Sequence, residues 1–598
     1  MSDYFAPLED MQFVINELAG LESIAALPNC EDASPDLVES ILDEAGKLAN
    51  EVLAPINHSG DIEGNTFKDN TVTTAAGFKE AYGQFVESGW AGLACNPEFE
   101  GQGLPALIST AVAEMWKSAN MAFSLCPMLT QGAIEAIEHN ANDEIKNTYL
   151  PKMVSGEWTG TMNLTEPGAG SDLAAVSTKA VPNGDHYLIT GQKIFITWGE
   201  HDMTDNIIHL VLARLPDAPA GVKGISLFVV PKFMVNDDGS LGDRNDAYCV
   251  SIEHKMGINA SPTAVMSFGD NGGAVGYLVG EENQGLKYMF VMMNHARLAV
   301  GLEGVAIGER AYQKALTYAK ERIQGGDMVD RSLGKVAIIK HPDVRRMLLW
   351  MKANVEAARA VAYYTAGLTD HAKNSPDAET AKQMQTLVEL LTPIAKGWAT
   401  EIGNEVAYQG VQIHGGMGFI EETGAAQYMR DARITTIYEG TTGIQAADLI
   451  GRKIAMEGGV TIKKLSLEIR GVAAEVSTIN SHHGTVISDN LKNALIALDV
   501  AVEFILDRFS NNAPKDAAAG SVAFLRLFGN VVGGWQMARA AIVAQKKIDN
   551  NEGNTAFYQA KVLTARCFAD YMLTQCVGLS LAMQQGAEAI LEMDDEQF

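Results

Sequence analysis

Glu439 is the residue whose neighbours most suggest chemistry. In Ile437-Tyr438-Glu439-Gly440-Thr441-Thr442-Gly443-Ile444-Gln445 it stands between an aromatic ring and a glycine, in a loop ahead of a helix of small and apolar residues. A glutamate in water is a weak general base, with a pKa of roughly 4.3. Sealed against an apolar ligand it becomes a stronger one, because desolvation disfavours its charged form. Glu439 is therefore the candidate proton acceptor.

Other stretches carry residues suited to a flat, polar-edged ligand. Thr165-Glu166-Pro167-Gly168-Ala169-Gly170-Ser171-Asp172 offers glycines and hydroxyls that bring backbone amides close to such a group. In Ile194-Phe195-Ile196-Thr197 strand alternation puts Phe195 and Thr197 on one face, an aromatic ring beside a hydroxyl. Gln412-Ile413-His414-Gly415-Gly416-Met417-Gly418 is a second glycine-rich loop. It follows a helix and lacks GxGxxG spacing, so a Rossmann fold is not indicated. His414 is as well suited to packing as to ligation. Arg322, in Tyr318-Ala319-Lys320-Glu321-Arg322, is a surface charge or a guanidinium fork for a pyrophosphate.

These residues need a scaffold of more than one core, and 598 residues suffice for about three to five domains. Residues 1–155 read as helical. Leu37 to Leu53 repeats apolar residues at three and four until Pro55, and Ile108 to Ile137 forms another block. Between 156 and 280 short β-branched runs take over: Tyr187–Thr190, Ile194–Thr197, Ile207–Leu212 and Ile225–Val230. Asn183-Gly184-Asp185 and Asp237-Asp238-Gly239 supply turns, so a compact barrel or sandwich is expected there. Helical periodicity returns over 281–458, in Val344–Tyr364 and in Met384–Tyr408, where Pro393 predicts a kink. Past Gly458-Gly459, residues 459–598 form a further helical region whose stripe Leu491, Leu495, Leu498, Val502, Ile505, Phe509 must pack on other helices.

Net charge of -29 repels phosphate backbones and argues against nucleic-acid binding. The six scattered cysteines form no CxxC pair, so neither a disulfide framework nor a zinc knuckle is expected, and no metal site is assigned. The acidic start, with Asp3, Glu9, Asp10 and Glu17, is unlike a secretory leader. No run of about 18 apolar residues suggests a membrane span, and a reducing cytoplasm fits best.

In this order the motifs resemble the acyl-CoA dehydrogenase family. The resemblance covers about 1–455 through Thr165–Asp172, Lys255-Met256-Gly257-Ile258-Asn259-Ala260-Ser261-Pro262-Thr263, Tyr318–Arg322 and Ile437–Thr441. The length, Gly199-Glu200-His201-Asp202, His341–Arg346 and the extra C-terminal helices look like the long bacterial branch, which includes 3-methylmercaptopropionyl-CoA dehydrogenases.

The resemblance implies an α+β multidomain fold: an N-terminal helical domain (1–155), a middle β-barrel (156–280), a four-helix bundle (281–458) and an additional C-terminal helical domain (459–598). It implies FAD, with Leu164, Thr165, Gly170 and Ser171 at the flavin pyrimidine and pyrophosphate, and Phe195, Ile196 and Thr197 at the isoalloxazine ring. Arg322, Gln412 and Gly416 would hold the adenosine-pyrophosphate end of a neighbouring subunit's FAD, and Thr441 would touch the flavin of its own. Ser171, Asn294, Arg297 and Gly440 would meet an acyl-CoA thioester, with Glu439 as the base. The implied reaction is α,β-dehydrogenation to the trans-2-enoyl-CoA, with electrons passing to an electron-transfer flavoprotein. An acyl-CoA oxidase and a catalytically silent flavin or acyl-CoA scaffold are the alternatives, and the acyl chain stays open. Phe195 replaces a common tryptophan, Asn294 a common aspartate, Gly325 an aromatic, and Gly443 a glutamine or glutamate. Because the extra helices can cover the surface that pairs dimers in short members, a homodimer with those helices folded back on the bundle is expected.

Overall fold

The computed structural model describes Tyr4–Phe598; Met1–Asp3 and the side chains of Val291 and Asn294 lie outside the described residues. The expectations placed on Asp3 and on the Asn294 side chain fall there too. The chain forms two compact units, one of Glu44–Leu104 with Met115–Ala299, the other of Phe5–Asp43, Pro105–Glu114 and Val300–Phe598. Among the described residues no helix is long and apolar enough to cross a membrane.

A barrel is the centre of the first unit. Strand His186–Thr197 pairs with Ala274–Leu278, then follow Ile225–Pro231 and Asn206–Arg214, and Lys179–Asn183 pairs with both ends of that series to close it. Trp158–Asn163 runs parallel to Asn206–Arg214, and Thr263–Phe268 with Ala247–Ile252 extends the other side. The strands Asn206–Arg214 and Ile225–Pro231 are buried almost throughout, which is why they read as apolar runs without alternation. The turns at Gly184 and Gly239 form as expected, each glycine at positive φ.

Three local expectations change. The two strands expected within 187–197 are one, because Gly191 (φ +154°) lets the chain leave Lys179–Asn183 for Thr263–Phe268 without ending. Any side chain at 191 would collide with Thr178, whose Oγ1 lies 2.5 Å from the Cβ position. The block Ile108–Ile137 is two helices, Ala106–Ala119 and Met121–Asn140. Asn120 leaves the helical backbone between them and caps the second by accepting from the Phe123 N–H at 3.1 Å; such a cap is worth about 1 kcal/mol. A small hairpin, Thr66–Lys68 with Thr71–Thr73, interrupts the otherwise helical start.

The second unit is helical. Its long members are Gly285–Glu321 from Val300 onward, Pro342–Asn374, and Ala378–Pro393, which passes through a π-helical turn, Ile394–Trp398, into Ala399–His414. The kink expected at Pro393 is that wide turn. The C-terminal helices His482–Ser510, Ser521–Asp549 and Thr555–Tyr571 belong to the same unit. Leu491, Leu495, Leu498, Val502 and Ile505 of the stripe are buried, as are Phe524, Leu525, Leu527 and Phe528. Ser521–Asp549 lies against Pro342–Asn374, with Trp535 edge-on to Tyr364 at 5.1 Å. A buried ionic cluster ties the unit's segments together: Arg359 donates to Glu114 (2.6 Å), Asp10 (2.6 Å) and Glu309 (2.8 Å), and Lys561 to Glu356 (3.0 Å) and Asp10.

Candidate active site

In the first unit the two segments expected to meet a flavin are brought together. The loop after strand Trp158–Asn163 starts with Leu164 and Thr165, both half-buried; the Thr165 carbonyl accepts from the Ile194 N–H at 2.9 Å, and the Leu164 carbonyl from Lys193 Nζ at 3.0 Å. Glu166 anchors the loop from below. Its carboxylate accepts from the N–H and Oγ of Ser177 (2.7 and 2.6 Å), from the N–H and Oγ1 of Thr178 (3.0 and 2.6 Å), and from Lys193 Nζ at 2.8 Å. Burial would raise the Glu166 pKa, but Lys193 and these hydroxyls outweigh it and hold it at about 2. Burial pulls the Lys193 ammonium down to about 8 against the opposing pull of Glu166.

Above that anchor the loop is open. Gly168, Gly170 and Ser171 are exposed, and a Cβ at either glycine would touch nothing within 4 Å. Neither has positive φ. Internal packing therefore does not demand glycine at these positions, and the bare backbone leaves room for a group approaching from outside. Phe195 is 59% exposed and Thr197 half-buried. Simple alternation does not place them: Phe195 has φ +60° and sits in a bulge where the pairing slips between Ala264 and Met266. The bulge turns the ring outward. Ile196 is buried in the barrel core, so only its backbone faces the loop side.

Arg297 is half-buried, and its Nε lies buried with no hydrogen-bond partner among the described residues. Two residues earlier His295 Nδ1 meets Glu135 at 3.0 Å, and that carboxylate raises the imidazole pKa against the effect of burial.

The second unit carries the other expected residues. Arg322, Gln412 and Gly416 are exposed. The ends of their helices are joined by Tyr318 stacked on His414, centroids 4.4 Å apart. His414 is buried and bonded through Nδ1 to the Gly410 carbonyl at 2.7 Å, and burial lowers its pKa, so it packs. Gly325 stands at φ +76°, a conformation that disfavours a bulky side chain.

Glu439, Gly440 and Thr441 share one loop, half-buried throughout. Thr441 caps helix Thr442–Asp448 by accepting from the Ile444 N–H at 3.2 Å, and Thr442 Oγ1 donates to Glu401 at 2.6 Å. Tyr438 OH donates to Glu303, fully buried, at 2.5 Å; burial first, and then that carboxylate, push the phenol pKa up. The sequence reading missed Glu166, Lys193, Glu303, Lys396 and Gln445. A lone lysine inside the apolar stretch Leu390–Trp398, and another in the strand of Phe195, were the available signals.

The chain belongs to the acyl-CoA dehydrogenase family. The family profiles match in series, "Acyl-CoA dehydrogenase, N-terminal domain" over 36–157, "middle domain" over 161–270, "C-terminal domain" over 283–454, and "Acetyl-CoA dehydrogenase C-terminal like" over 468–594. A 3-methylmercaptopropionyl-CoA dehydrogenase of Ruegeria pomeroyi is 48% identical over 574 residues, 96% of each chain. A broad-specificity linear acyl-CoA dehydrogenase of Mycobacterium tuberculosis is 34% identical over 626 residues, spanning all of both chains. Among solved structures, an acyl-CoA dehydrogenase of Bacillus anthracis complexed with FAD shares the fold at TM-score 0.72 and 22% identity, covering 96% of this chain and 91% of that one. The protein is thus an oxidoreductase and an FAD-dependent acyl-CoA dehydrogenase.

Proposed function

We propose that Glu439 is the base that removes the α-proton of a bound acyl-CoA thioester. The observation that carries this is its backbone: a non-glycine residue at φ +54°, kept there by bonds to the flanking carbonyls, is strain of the kind found where a side chain must be aimed. Leu164, Thr165, Gly170, Ser171, Phe195, Thr197 and the backbone of Ile196 hold FAD, together with Thr441. Arg322, Gln412 and Gly416 hold the adenosine end of a neighbouring copy's FAD, which their exposure supports. Ser171, Arg297 and the Gly440 backbone meet the thioester; the Nε of Arg297, buried without a partner among the described residues, suits a polar ligand. When bound, FAD supplies the sink for the hydride leaving the β-carbon. Glu439 takes the α-proton on its carboxylate, and the N–H of Glu439 donates to the thioester carbonyl as negative charge builds there. The product is the trans-2-enoyl-CoA, and the electrons leave to an electron-transfer flavoprotein.

We assign the enzyme to the cytosol and to acyl-chain β-oxidation, with a short acyl group such as 3-methylmercaptopropionyl as substrate; identity of 48% over 96% of the chain supports that choice. The buried stripe supports a homodimer, and a tetramer mass in light scattering contradicts it. A panel of acyl-CoA esters with an artificial electron acceptor tests the chemistry. Glu439→Gln should keep its flavin and lose about 10²–10⁴-fold in turnover; near-normal rates with any good substrate would refute the base.

A further inference from the structure

The loop of Glu439 is held by one side chain from its own helix, Gln445, and by one from 44 positions away, Lys396. Glu439 and Gly440 both have left-handed backbones, φ +54° and +90°. A Cβ on Gly440 would lie 2.8 Å from Gln445 Nε2. Glycine there lets the Gln445 amide reach the Glu439 carbonyl, 3.2 Å away. The next carbonyl, that of Gly440, accepts from Lys396 Nζ at 2.6 Å. Lys396 and Gln445 are both fully buried. Two successive peptide groups are thus fixed by buried donors, which sets the direction in which the Glu439 side chain leaves the backbone.

Lys396 reaches Gly440 from the π-helical turn Ile394–Trp398. An extra residue in one turn rotates the following side chains by about 100° relative to a straight α-helix. The widened turn is closed by Thr400 Oγ1, which donates to the Lys396 carbonyl at 2.8 Å. It is also held from the C-terminal region. Trp398 Nε1 donates to Asn530 Oδ1 at 3.0 Å, and the indole lies over Gly529 and Gly533 of helix Ser521–Asp549. A Cβ at Gly533 would come within 2.9 Å of the ring, and one at Gly529 would overlap it. Those two glycines therefore make a slot for Trp398. Gly397 completes the arrangement: a Cβ there would meet Leu525 at 2.7 Å and Gln445 at 3.2 Å, so its absence lets both close on the turn.

We propose that Lys396 is a positioning residue for Glu439 and that the Trp398 slot in helix Ser521–Asp549 keeps Lys396 in register, making the additional C-terminal helices a working part of the active site. The proposal rests on the reading of Glu439 as the base. It assigns the C-terminal region a task in turnover as well as in covering apolar surface.

Lys396→Met fills nearly the same space without the donor. In the holoenzyme it should lower kcat by roughly 10–100-fold while KM and flavin content hold, the signature of a mis-aimed group with intact binding. Lys396→Arg, which still carries donors, should recover part of the loss. Trp398→Phe keeps a ring in the slot but drops the bond to Asn530, and should cost a few-fold in kcat with KM unmoved. A Lys396→Met holoenzyme with wild-type kcat overturns the proposal. If that variant does not accumulate with flavin, Trp398→Phe decides: full flavin with wild-type kcat overturns it, and a selective kcat loss supports it. Glu439→Gln is measured alongside. An active Glu439→Gln sinks the base itself, whereas an inactive one beside a fully active Lys396→Met sinks the positioning role alone.

Discussion

The loop of 164–172 and the loop of 437–445 each present reactive geometry, yet they are fixed by opposite means. The first rests on a charged pair under its own motif, where Glu166 gathers five donors with Lys193 among them. The second is aimed by donors to main-chain carbonyls, Lys396 on Gly440 and Gln445 on Glu439, with backbone strain at Glu439. A charged anchor gives a rigid shelf for a large ligand, because removing either partner leaves a buried charge uncompensated. Bonds to carbonyls instead set the angle of one side chain. Damage to the first loop should therefore appear as lost flavin and lost stability, and damage to the second as lost turnover in a protein that still binds flavin.

The largest stability effect is expected from Lys193→Met. Glu166 would stay buried without its cation, which costs about 3–5 kcal/mol, so the melting temperature and the flavin absorbance of the purified protein should both fall. The pH dependence of the same anchor comes next. The carboxyl of Glu166 moves from 4.5 to about 2 on folding. A depressed carboxylate contributes stability that is complete above the unfolded pKa and is lost as pH falls through the folded one. As pH falls from about 4.5 toward 2, the gap in unfolding free energy between wild type and Glu166→Gln should thus shrink, by up to about 3 kcal/mol. A gap that does not change with pH over that window contradicts the ionised anchor.

Smaller effects should separate the remaining contacts. Arg322→Ala would remove the proposed charge-assisted contact to a pyrophosphate, worth about 1.5–3 kcal/mol, which should appear as weaker FAD retention on gel filtration while the fold persists; unchanged retention removes Arg322 from the cofactor site. Thr441→Ala deletes the cap on helix Thr442–Asp448, at about 1 kcal/mol of stability, and calorimetry checks it.

The same contrast explains what was legible in the sequence. The motif around Glu439 is contiguous, so its place on a loop before a helix could be read directly. The barrel strands were visible through β-branched runs, and Pro393 announced a break because proline has no N–H to give. Of the residues that aim Glu439, Gln445 stands in the same motif, whereas Lys396 lies 44 positions from Gly440, and Asn530 lies 132 from Trp398. Only the folded helices bring them together. Phe195 is exposed for a reason alternation does not supply: a bulge at φ +60° turns it outward. Asn120 looked like an interior helix residue until its side chain took the Phe123 N–H. Helix and cap compete for the same local signal.

The most direct measurement is anaerobic mixing of the yellow holoenzyme with 3-methylmercaptopropionyl-CoA or butyryl-CoA, following flavin absorbance, for wild type and Glu439→Gln side by side. Wild type should bleach within the mixing experiment, form the enoyl-CoA in equal amount and regain colour slowly in air, while Glu439→Gln binds the ester and stays yellow. Bleaching of Glu439→Gln at the wild-type rate, or no bleaching of wild type by any acyl-CoA in the panel, would contradict Glu439 as the base of an acyl-CoA dehydrogenation.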